Sequence, residues 1–330
     1  MPSASSLVVV IGTGGTIAGV VTGTAARPGA HLGYEAGALK AEALVAALPA
    51  LAALPLETHS LAQLDSSDMD HATWQALALT VTAHLARPEV AGVVVTHGTD
   101  TLEETATFLQ LTVAATKPVV MTAAMRPATA PSADGPQNLL DAVRLATLPG
   151  VTGVLLAFGG SVFAGTEARK LHGYRVDAFG GGDAGPVALM QDGALRPLRA
   201  WPAPDGHAAE VLAQPLADWP VVDIVTSHAG ARGQTLLALV DAGARGIVVA
   251  GSGNGSVHHE LESAAEQAQQ QGVTVWRASR CVLGGVVGEV LGNAQGGGSA
   301  DALPHAGDAT PAQARVRLML ALLLQRQPGP

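Results

Sequence analysis

The sequence has little of the chemistry on which several protein classes depend. Its 330 residues include a single cysteine, Cys281, which excludes an intrachain disulfide and a metal site built from cysteines. Aromatic residues make up only 3% of the chain, so the core must be built from small aliphatic side chains. No basic run occurs and the formal net charge is -9, which argues against a nucleic-acid partner, since phosphates need clustered Lys and Arg.

Long apolar segments are also missing. None reaches the length that crosses a bilayer without containing glycine or a charged residue, so no membrane partner is expected. The first six residues, MPSASS, lead directly into the first apolar run and lack the basic and apolar regions of a secretory signal. These features predict a soluble cytoplasmic protein, although a mature secreted chain would share them.

What the chain does contain is an alternation of strand and helix signals. Short β-branched runs predict strands at 8–11, 93–96, 118–122, 154–158, 221–226, 246–250 and 273–277. Helices are predicted at 38–48, 73–85, 102–115, 136–148, 234–242, 257–271 and 311–325. This alternation favours an α/β fold with two domains: a larger N-terminal one with a doubly wound, mostly parallel sheet, and a smaller C-terminal α/β domain.

The character of the sequence changes between the two sets of elements. Residues 191–193 read QDG, which is typical of a hairpin turn, and residues 199–206 are proline-rich and without periodicity. We therefore predict an N-terminal catalytic domain at 1–190, a linker at 191–219 and a C-terminal domain at 220–330.

Two turns rich in threonine and glycine carry the functional signal. Residues 8–16 read VVVIGTGGT and residues 93–101 read VVVTHGTDT, so each turn follows a run typical of a buried parallel strand. Open α/β sheets bind ligands at the carboxyl edge of their strands, beside a reversal of strand order. The pair of turns predicts an active site that uses hydroxyl groups, the alternative being two ordinary tight connections between strand and helix.

Other motif chemistry is excluded by spacing. Ile17 stands where the dinucleotide fingerprint needs its third glycine, and no Gly-Lys-Ser/Thr sequence forms a phosphate loop. His258 and His259 lack the four-residue spacing of a zinc-binding helix. We therefore predict neither a metal ion nor an organic cofactor.

A threonine hydroxyl needs a base before it becomes a good nucleophile. Two candidates remain, Tyr34 in the glycine-rich loop after Thr16, and Lys170. A lysine that loses its water in a dry cleft can act as a base, whereas the alternative for Lys170 is a solvated surface side chain.

Together these motifs resemble those of the bacterial type I/II L-asparaginases, which are amidohydrolases with a threonine nucleophile. Residues 13–19, TGGTIAG, are similar to the first signature of that family, and residues 96–105, THGTDTLEET, to the second. Further matches are SSDM at 66–69, AMRP at 124–127, SADGPQNL at 132–139, Lys170 with DAF at 177–179, GSGNG at 251–255 and SR at 279–280.

The resemblance implies roles for individual residues. Thr16 matches the family nucleophile, and Tyr34 matches the tyrosine of the loop that closes over it. Thr99, Asp100 and Lys170 match the second catalytic group.

Substrate contacts follow in the same way. Ser66 matches the serine that binds the substrate α-carboxylate, Asp100 would hold the α-ammonium group, and Ala124 matches a backbone position beside the side-chain amide. The backbone around Gly98 would supply N–H donors. Ser67 stands where many relatives carry glutamine, so one contact to the substrate ammonium group is lost or replaced by water.

The family also implies sites shared between subunits, in a homotetramer arranged as two close dimers. Asn254 and a later glutamate, for which Glu289 is the best match, would reach the site of a neighbouring subunit.

The resemblance thus implies hydrolysis of L-asparagine to L-aspartate and ammonia through a threonine acyl-enzyme. Three alternatives are open. A glutaminase-asparaginase would use both amides, since one methylene discriminates by only ~1–3 kcal/mol. A binding or sensing protein would have the same fold without catalysis. An amidotransferase subunit would act on charged tRNA, which the acidic charge disfavours.

Overall fold

The computed structural model describes residues 7–22, 33–288 and 303–325. Two features predicted from the sequence lie outside the described residues. They are Glu289 and residues 23–32 of the loop predicted to close over the site. The chain divides into two compact units, Met1–Leu212 and Ala213–Pro330.

The first unit is built from strands and helices that alternate along the chain. Its strands are β1 (Leu7–Gly14), β2 (Val20–Val21), β3 (Tyr34–Glu35), β4 (Leu56–Leu64), β5 (Val90–Thr96), β6 (Val119–Thr122), β7 (Val154–Phe158), β8 (Ser161–Ala164), β9 (Arg169–Lys170), β10 (Phe179–Gly180), β11 (Ala188–Gln191) and β12 (Ala194–Pro197). Its α-helices are α1 (Ala41–Ala46), α2 (His71–Leu85), α3 (Leu102–Thr112) and α4 (Gly135–Ala146).

Eight of these strands form one sheet in the order β12-β11-β8-β7-β6-β5-β1-β4. The five strands from β7 to β4 are parallel, and β8, β11 and β12 are antiparallel additions. From β1 the chain passes to β4 on one side and then to β5 on the other side, so the strand order reverses at β1 and β5. The predicted mostly parallel sheet is confirmed.

Burial explains why the central strands are readable in the sequence. Val8, Val9 and Val10 of β1 have no exposed surface, because helices cover both faces of a parallel sheet and the strands become continuous apolar runs. Strand β4 was not predicted, since its nine residues, LETHSLAQL, form the half-buried edge of the sheet and mix polar with apolar side chains.

Local signals set the helix starts. The Asp70 carboxylate accepts a hydrogen bond of 2.7 Å from the backbone N–H of Thr73 and so caps α2. Pro136 lies in the first turn of α4, where its missing N–H costs nothing. Helix α3 ends at Thr112, three residues before the predicted end.

The predicted hairpin turn forms between β11 and β12. Asp192 and Gly193 have φ values of 51° and 75°, as a two-residue turn of type I′ requires. Strand β12 therefore belongs to the sheet of the first unit, and the segment 191–219 predicted as a linker contributes residues 191–212 to that unit.

The second unit is a smaller α/β structure. Its strands β13 (Val222–Thr226), β14 (Gly246–Gly251) and β15 (Thr274–Ser279) form a parallel sheet in chain order, with helices α5 (Gly233–Asp241), α6 (His259–Gln270) and α7 (Pro311–Gln325). The predicted fold class of a larger and a smaller α/β unit is confirmed. Within the described ranges, no helix is both long and apolar enough to cross a bilayer.

Candidate active site

The reversal of strand order places the carboxyl ends of β1 and β5 side by side. Gly12 on β1 is in register with Thr96 on β5, and the buried Thr13 Oγ1 donates a hydrogen bond of 3.0 Å to the carbonyl of Thr96. A reversal of this kind opens a crevice at the sheet edge, because the following segments leave on opposite sides. Both threonine-bearing turns therefore flank one crevice.

Glycine at two positions lets the turns touch. Gly15 has a φ of 79°, and a Cβ atom there would lie 2.3 Å from Gly98 Cα. A Cβ atom at Gly98 would lie 2.3 Å from Ser66 Oγ. No side chain fits at either position, so Thr16 and Thr99, each one residue further on, are held close to the same contact.

Thr16 contacts the first of the two candidate bases. It begins a short turn of 3-10 helix, Thr16–Ala18, and is half-buried at the crevice. Its Oγ1 lies 2.7 Å from Tyr34 Oη, so either hydroxyl can donate the hydrogen bond. Tyr34 is on β3, which pairs with β2.

Thr99 contacts the second candidate base. Lys170 Nζ donates a hydrogen bond of 2.9 Å to Thr99 Oγ1 and forms an ion pair with the Asp100 carboxylate. The Lys170 side chain is 20% exposed, and its backbone N–H donates to Glu103 Oε2 at 2.9 Å. These contacts differ from those of a freely solvated surface lysine.

The two serines differ in environment. Ser66 is buried, and its Oγ accepts a hydrogen bond of 3.2 Å from the backbone N–H of Asp100. Ser67 is exposed, and its N–H and hydroxyl both donate to Asp65 Oδ1 at 3.0 Å. Ser66 is thus joined to the crevice, whereas the hydroxyl of Ser67 is bound to Asp65.

Ala124 is buried in the loop that follows β6. Asn138 Nδ2 donates to the carbonyl of Ala123 at 2.9 Å, and Asp134 Oδ2 accepts from the N–H of Met125 at 2.9 Å. The backbone on both sides of Ala124 is therefore fixed by side chains at the start of α4.

A buried histidine within the second turn was not predicted as a functional residue. His97 has no exposed surface, and burial lowers its pKa to about 4, so the ring is neutral near pH 7. Its Nε2 is 3.0 Å from Thr105 Oγ1, which accepts a hydrogen bond from Trp74 Nε1 at 2.8 Å. The carbonyl of Gly98, 2.7 Å from Nδ1, can only accept, so Nδ1 carries the proton of the neutral ring and Nε2 accepts from the Thr105 hydroxyl.

The histidine contact fixes a peptide group at the crevice. The C=O and N–H of a trans peptide point in opposite directions. With the Gly98 carbonyl held by His97, the N–H of Thr99 points away from His97. The motif contains His97, but only its burial and its partners show what the ring does.

Asn254 belongs to the second unit. Its Nδ2 donates to the carbonyl of Val287 at 2.9 Å, and its Oδ1 accepts from the N–H of Val287 at 2.7 Å. Among the described residues, no group of three His, Cys, Asp or Glu side chains could hold a metal ion.

Two protein-family models match the sequence. Residues 7–202 match the family described as Asparaginase, N-terminal, and residues 221–328 match the Glutaminase/Asparaginase C-terminal domain. The chain belongs to the asparaginase family. These matches confirm the predicted family and the predicted class of enzyme, an L-asparaginase.

Individual relatives of the asparaginase family are similar to this chain over nearly its whole length. L-asparaginase 2 of Bacillus subtilis (strain 168) is 35% identical over 97% of this chain and 83% of its own length. A glutaminase-asparaginase of Pseudomonas fluorescens biotype A is 33% identical over 96% of this chain and 86% of its own. The crystal structure of a probable cytoplasmic L-asparaginase from Campylobacter jejuni is 36% identical with a TM-score of 0.86, covering 98% of this chain and 96% of that one.

Proposed function

We propose that this protein hydrolyses the side-chain amide of L-asparagine to L-aspartate and ammonia through an acyl-enzyme on Thr16. The observation that carries the proposal is that two threonine hydroxyls lie beside the contact between Gly15 and Gly98. Each hydroxyl is hydrogen-bonded to a group that can accept or donate a proton. Thr16 has Tyr34 at 2.7 Å, and Thr99 has Lys170 at 2.9 Å. Relatives named L-asparaginase support the choice of substrate.

In the first half of the reaction, the Thr16 oxygen bonds to the amide carbon. The Thr16 proton passes to Tyr34 Oη, while Tyr34 gives its own proton to the amide nitrogen. The C–N bond breaks, ammonia leaves and an aspartyl ester remains on Thr16. This exchange leaves Tyr34 neutral and needs no further base.

In the second half, water adds to the ester carbon. One water proton passes through the Thr99 hydroxyl to a neutral Lys170, and Asp100 stabilises the ammonium that forms. The ester bond then breaks, and the proton of the new carboxyl group returns to Thr16 through Tyr34. Aspartate leaves, and Lys170 releases its proton to solvent.

Backbone donors and charged groups would hold the substrate. The N–H of Thr99, turned away from His97, is suited to bind the oxyanion that develops on the amide carbonyl. Ser66 would bind the α-carboxylate, and Asp100, with 57% of its side chain exposed, would bind the α-ammonium group. The substrate ammonium then competes with Lys170 for the Asp100 carboxylate.

A glutaminase-asparaginase is the second candidate, because a relative of that name is 33% identical over 96% of this chain. We nevertheless expect asparagine to be preferred. The Ser67 hydroxyl already donates a hydrogen bond to Asp65. Few side chains therefore remain to hold the ammonium group of the substrate. With few anchors, a longer substrate shifts its amide carbon, and a misplacement near 1 Å can cost on the order of 10²-fold in rate.

Ammonia release from L-asparagine, L-glutamine and D-asparagine, measured in parallel, tests both the activity and the preference. We expect turnover of L-asparagine and poor turnover of L-glutamine.

Introducing the longer amide with Ser67→Gln should lower the KM for asparagine or change the activity on glutamine. If both stay unchanged, position 67 does not touch the substrate. A wild-type protein that releases no ammonia while binding asparagine would be the non-catalytic alternative.

We further propose that the active form is a homotetramer of two close dimers, with Asn254 and Glu289 reaching a neighbouring site. Its support is the resemblance to the family and the exposed apolar side chains of Val282, Leu283 and Val287, close in sequence to Glu289. Light scattering should give four subunits, and activity should fall on dilution below the dissociation constant. A monomer with full activity would contradict the shared site.

A cytoplasmic location also stays a prediction, consistent with the name of the Campylobacter relative.

A further inference from the structure

We propose that Thr129 is a positioning residue for Tyr34, acting through the strand next to it. This inference rests on the proposed role of Tyr34 as the proton carrier for Thr16. Thr129 lies in the loop between β6 and α4, more than ninety residues from Tyr34 along the chain. The structure brings the two together in space through a single intermediate residue, Val21.

The first contact is a side-chain hydrogen bond. The N–H of Val21 donates to Thr129 Oγ1 at 2.9 Å. Val21 is the residue directly opposite Tyr34 in the pairing of β2 with β3. The Thr129 hydroxyl therefore fixes the backbone of Val21, and the pairing of Val21 with Tyr34 in turn fixes the position of the Tyr34 ring.

The ribbon of β2 and β3 needs such support because it is very short. It has two residue pairs, Val20 with Glu35 and Val21 with Tyr34, followed by a hydrogen bond of 2.9 Å from the N–H of Thr22 to the carbonyl of Gly33. A two-stranded ribbon of this size is not stable alone in water. Contacts to the rest of the unit must fix it.

A second contact joins the same two segments at the backbone. The N–H of Ala128 donates to the carbonyl of Gly19 at 2.9 Å. Gly19 also packs under the tyrosine, since a Cβ atom there would lie 2.8 Å from Tyr34 Cδ2. The ribbon is thus held at Gly19 and at Val21, and Thr129 is the side chain that makes the second of these attachments.

The supporting loop is itself fixed. The Asp134 carboxylate accepts from the N–H groups of Met125 and Arg126 at 2.9 and 3.0 Å. Arg126 Nη1 donates to both the carbonyl and the hydroxyl of Ser132 at 2.8 Å. The loop starts beside Ala124, where the substrate amide is proposed to lie, so one rigid segment sets both the amide pocket and the ring of Tyr34.

Kinetics with matched variants test the assignment. Thr129→Val keeps the shape and removes the acceptor, and we expect kcat for asparagine to fall about two- to tenfold, the effect of one ordinary hydrogen bond. Thr129→Ser keeps the hydroxyl and should retain activity. In a Tyr34→Phe background, Thr129→Val should cause no further loss, because both changes act on one group. An equal loss in both backgrounds would overturn the proposal.

Fluorine NMR gives a readout that does not depend on turnover. The chain has two tyrosines, so protein labelled with 3-fluorotyrosine should give two signals, assigned with Tyr34→Phe. Tyr174 is 53% exposed and serves as the internal reference. We expect Thr129→Val, but not Thr129→Ser, to shift or broaden the Tyr34 signal while Tyr174 stays constant. An unchanged Tyr34 signal would refute the positioning role, whereas failure of the proposed function would instead show as absent ammonia release with the NMR shift intact.

Discussion

Replacing Thr16 by alanine is expected to lower kcat for asparagine by on the order of 10⁴–10⁶-fold, the loss seen when a nucleophile is removed from a catalytic group. The hydroxyl oxygen is the atom that forms the ester, and without this hydroxyl Tyr34, 2.7 Å away, has no proton to accept in the first half of the reaction. Steady-state ammonia release measures the effect. Thr16→Ser is the matched control, since it keeps the oxygen and should retain measurable turnover.

The loss should be specific to chemistry. Thr16 is half-buried and its side chain makes one hydrogen bond to another described residue, so urea unfolding of Thr16→Ala should show a change of about 0.5–1.5 kcal/mol in the free energy of unfolding. Because Thr99 acts in the same reaction, adding Thr99→Ala to Thr16→Ala should reduce the remaining rate little further. Turnover in Thr16→Ala near that of the wild type would assign the nucleophile elsewhere.

Replacing Lys170 by methionine should lower kcat by about 10²–10⁴-fold, the usual contribution of a positioned acid or base. The KM should change much less, because Asp100, which is proposed to bind the substrate ammonium, stays in place when its neighbour Lys170 is replaced. The length and apolar stem of the side chain are kept, so the packing around it is preserved.

A second lysine provides the matched control. Lys117 Nζ donates to the carbonyls of Leu85 and Arg87 at 2.9 and 2.7 Å, at the end of α2. Lys117→Met should reduce the free energy of unfolding and leave kcat of the folded protein unchanged. If Lys170→Met behaves like Lys117→Met and keeps its activity at neutral pH, Lys170 is a structural residue.

The central strands and their threonine turns could be predicted because strands that are parallel and fully buried appear in the sequence as uninterrupted runs of valine. Once β1 and β5 are placed in one sheet, their carboxyl ends must lie at one edge, so the two threonine-bearing turns are expected to meet there. The edge strand β4 could not be predicted in this way, since half-buried positions accept polar and apolar residues alike.

Other parts of the site depend on contacts that no local pattern encodes. Ser66 belongs to the crevice only because Gly98 leaves room for its side chain. His97 is visible in the motif, but its partner Thr105 and the Trp74 ring that donates to Thr105 come from two helices that only the tertiary fold brings together. Thr129 has no motif at all, and its relation to Tyr34 depends on one hydrogen bond to Val21.

Rapid acid quench of the protein with L-asparagine, followed by peptide mass spectrometry, detects the acyl-enzyme itself. We expect an aspartyl ester on the peptide that carries Thr16, formed within the first turnover and absent from Thr16→Ala. Continued ammonia release with no ester on Thr16 at any quench time would contradict the acyl-enzyme and the proposed roles of both threonines.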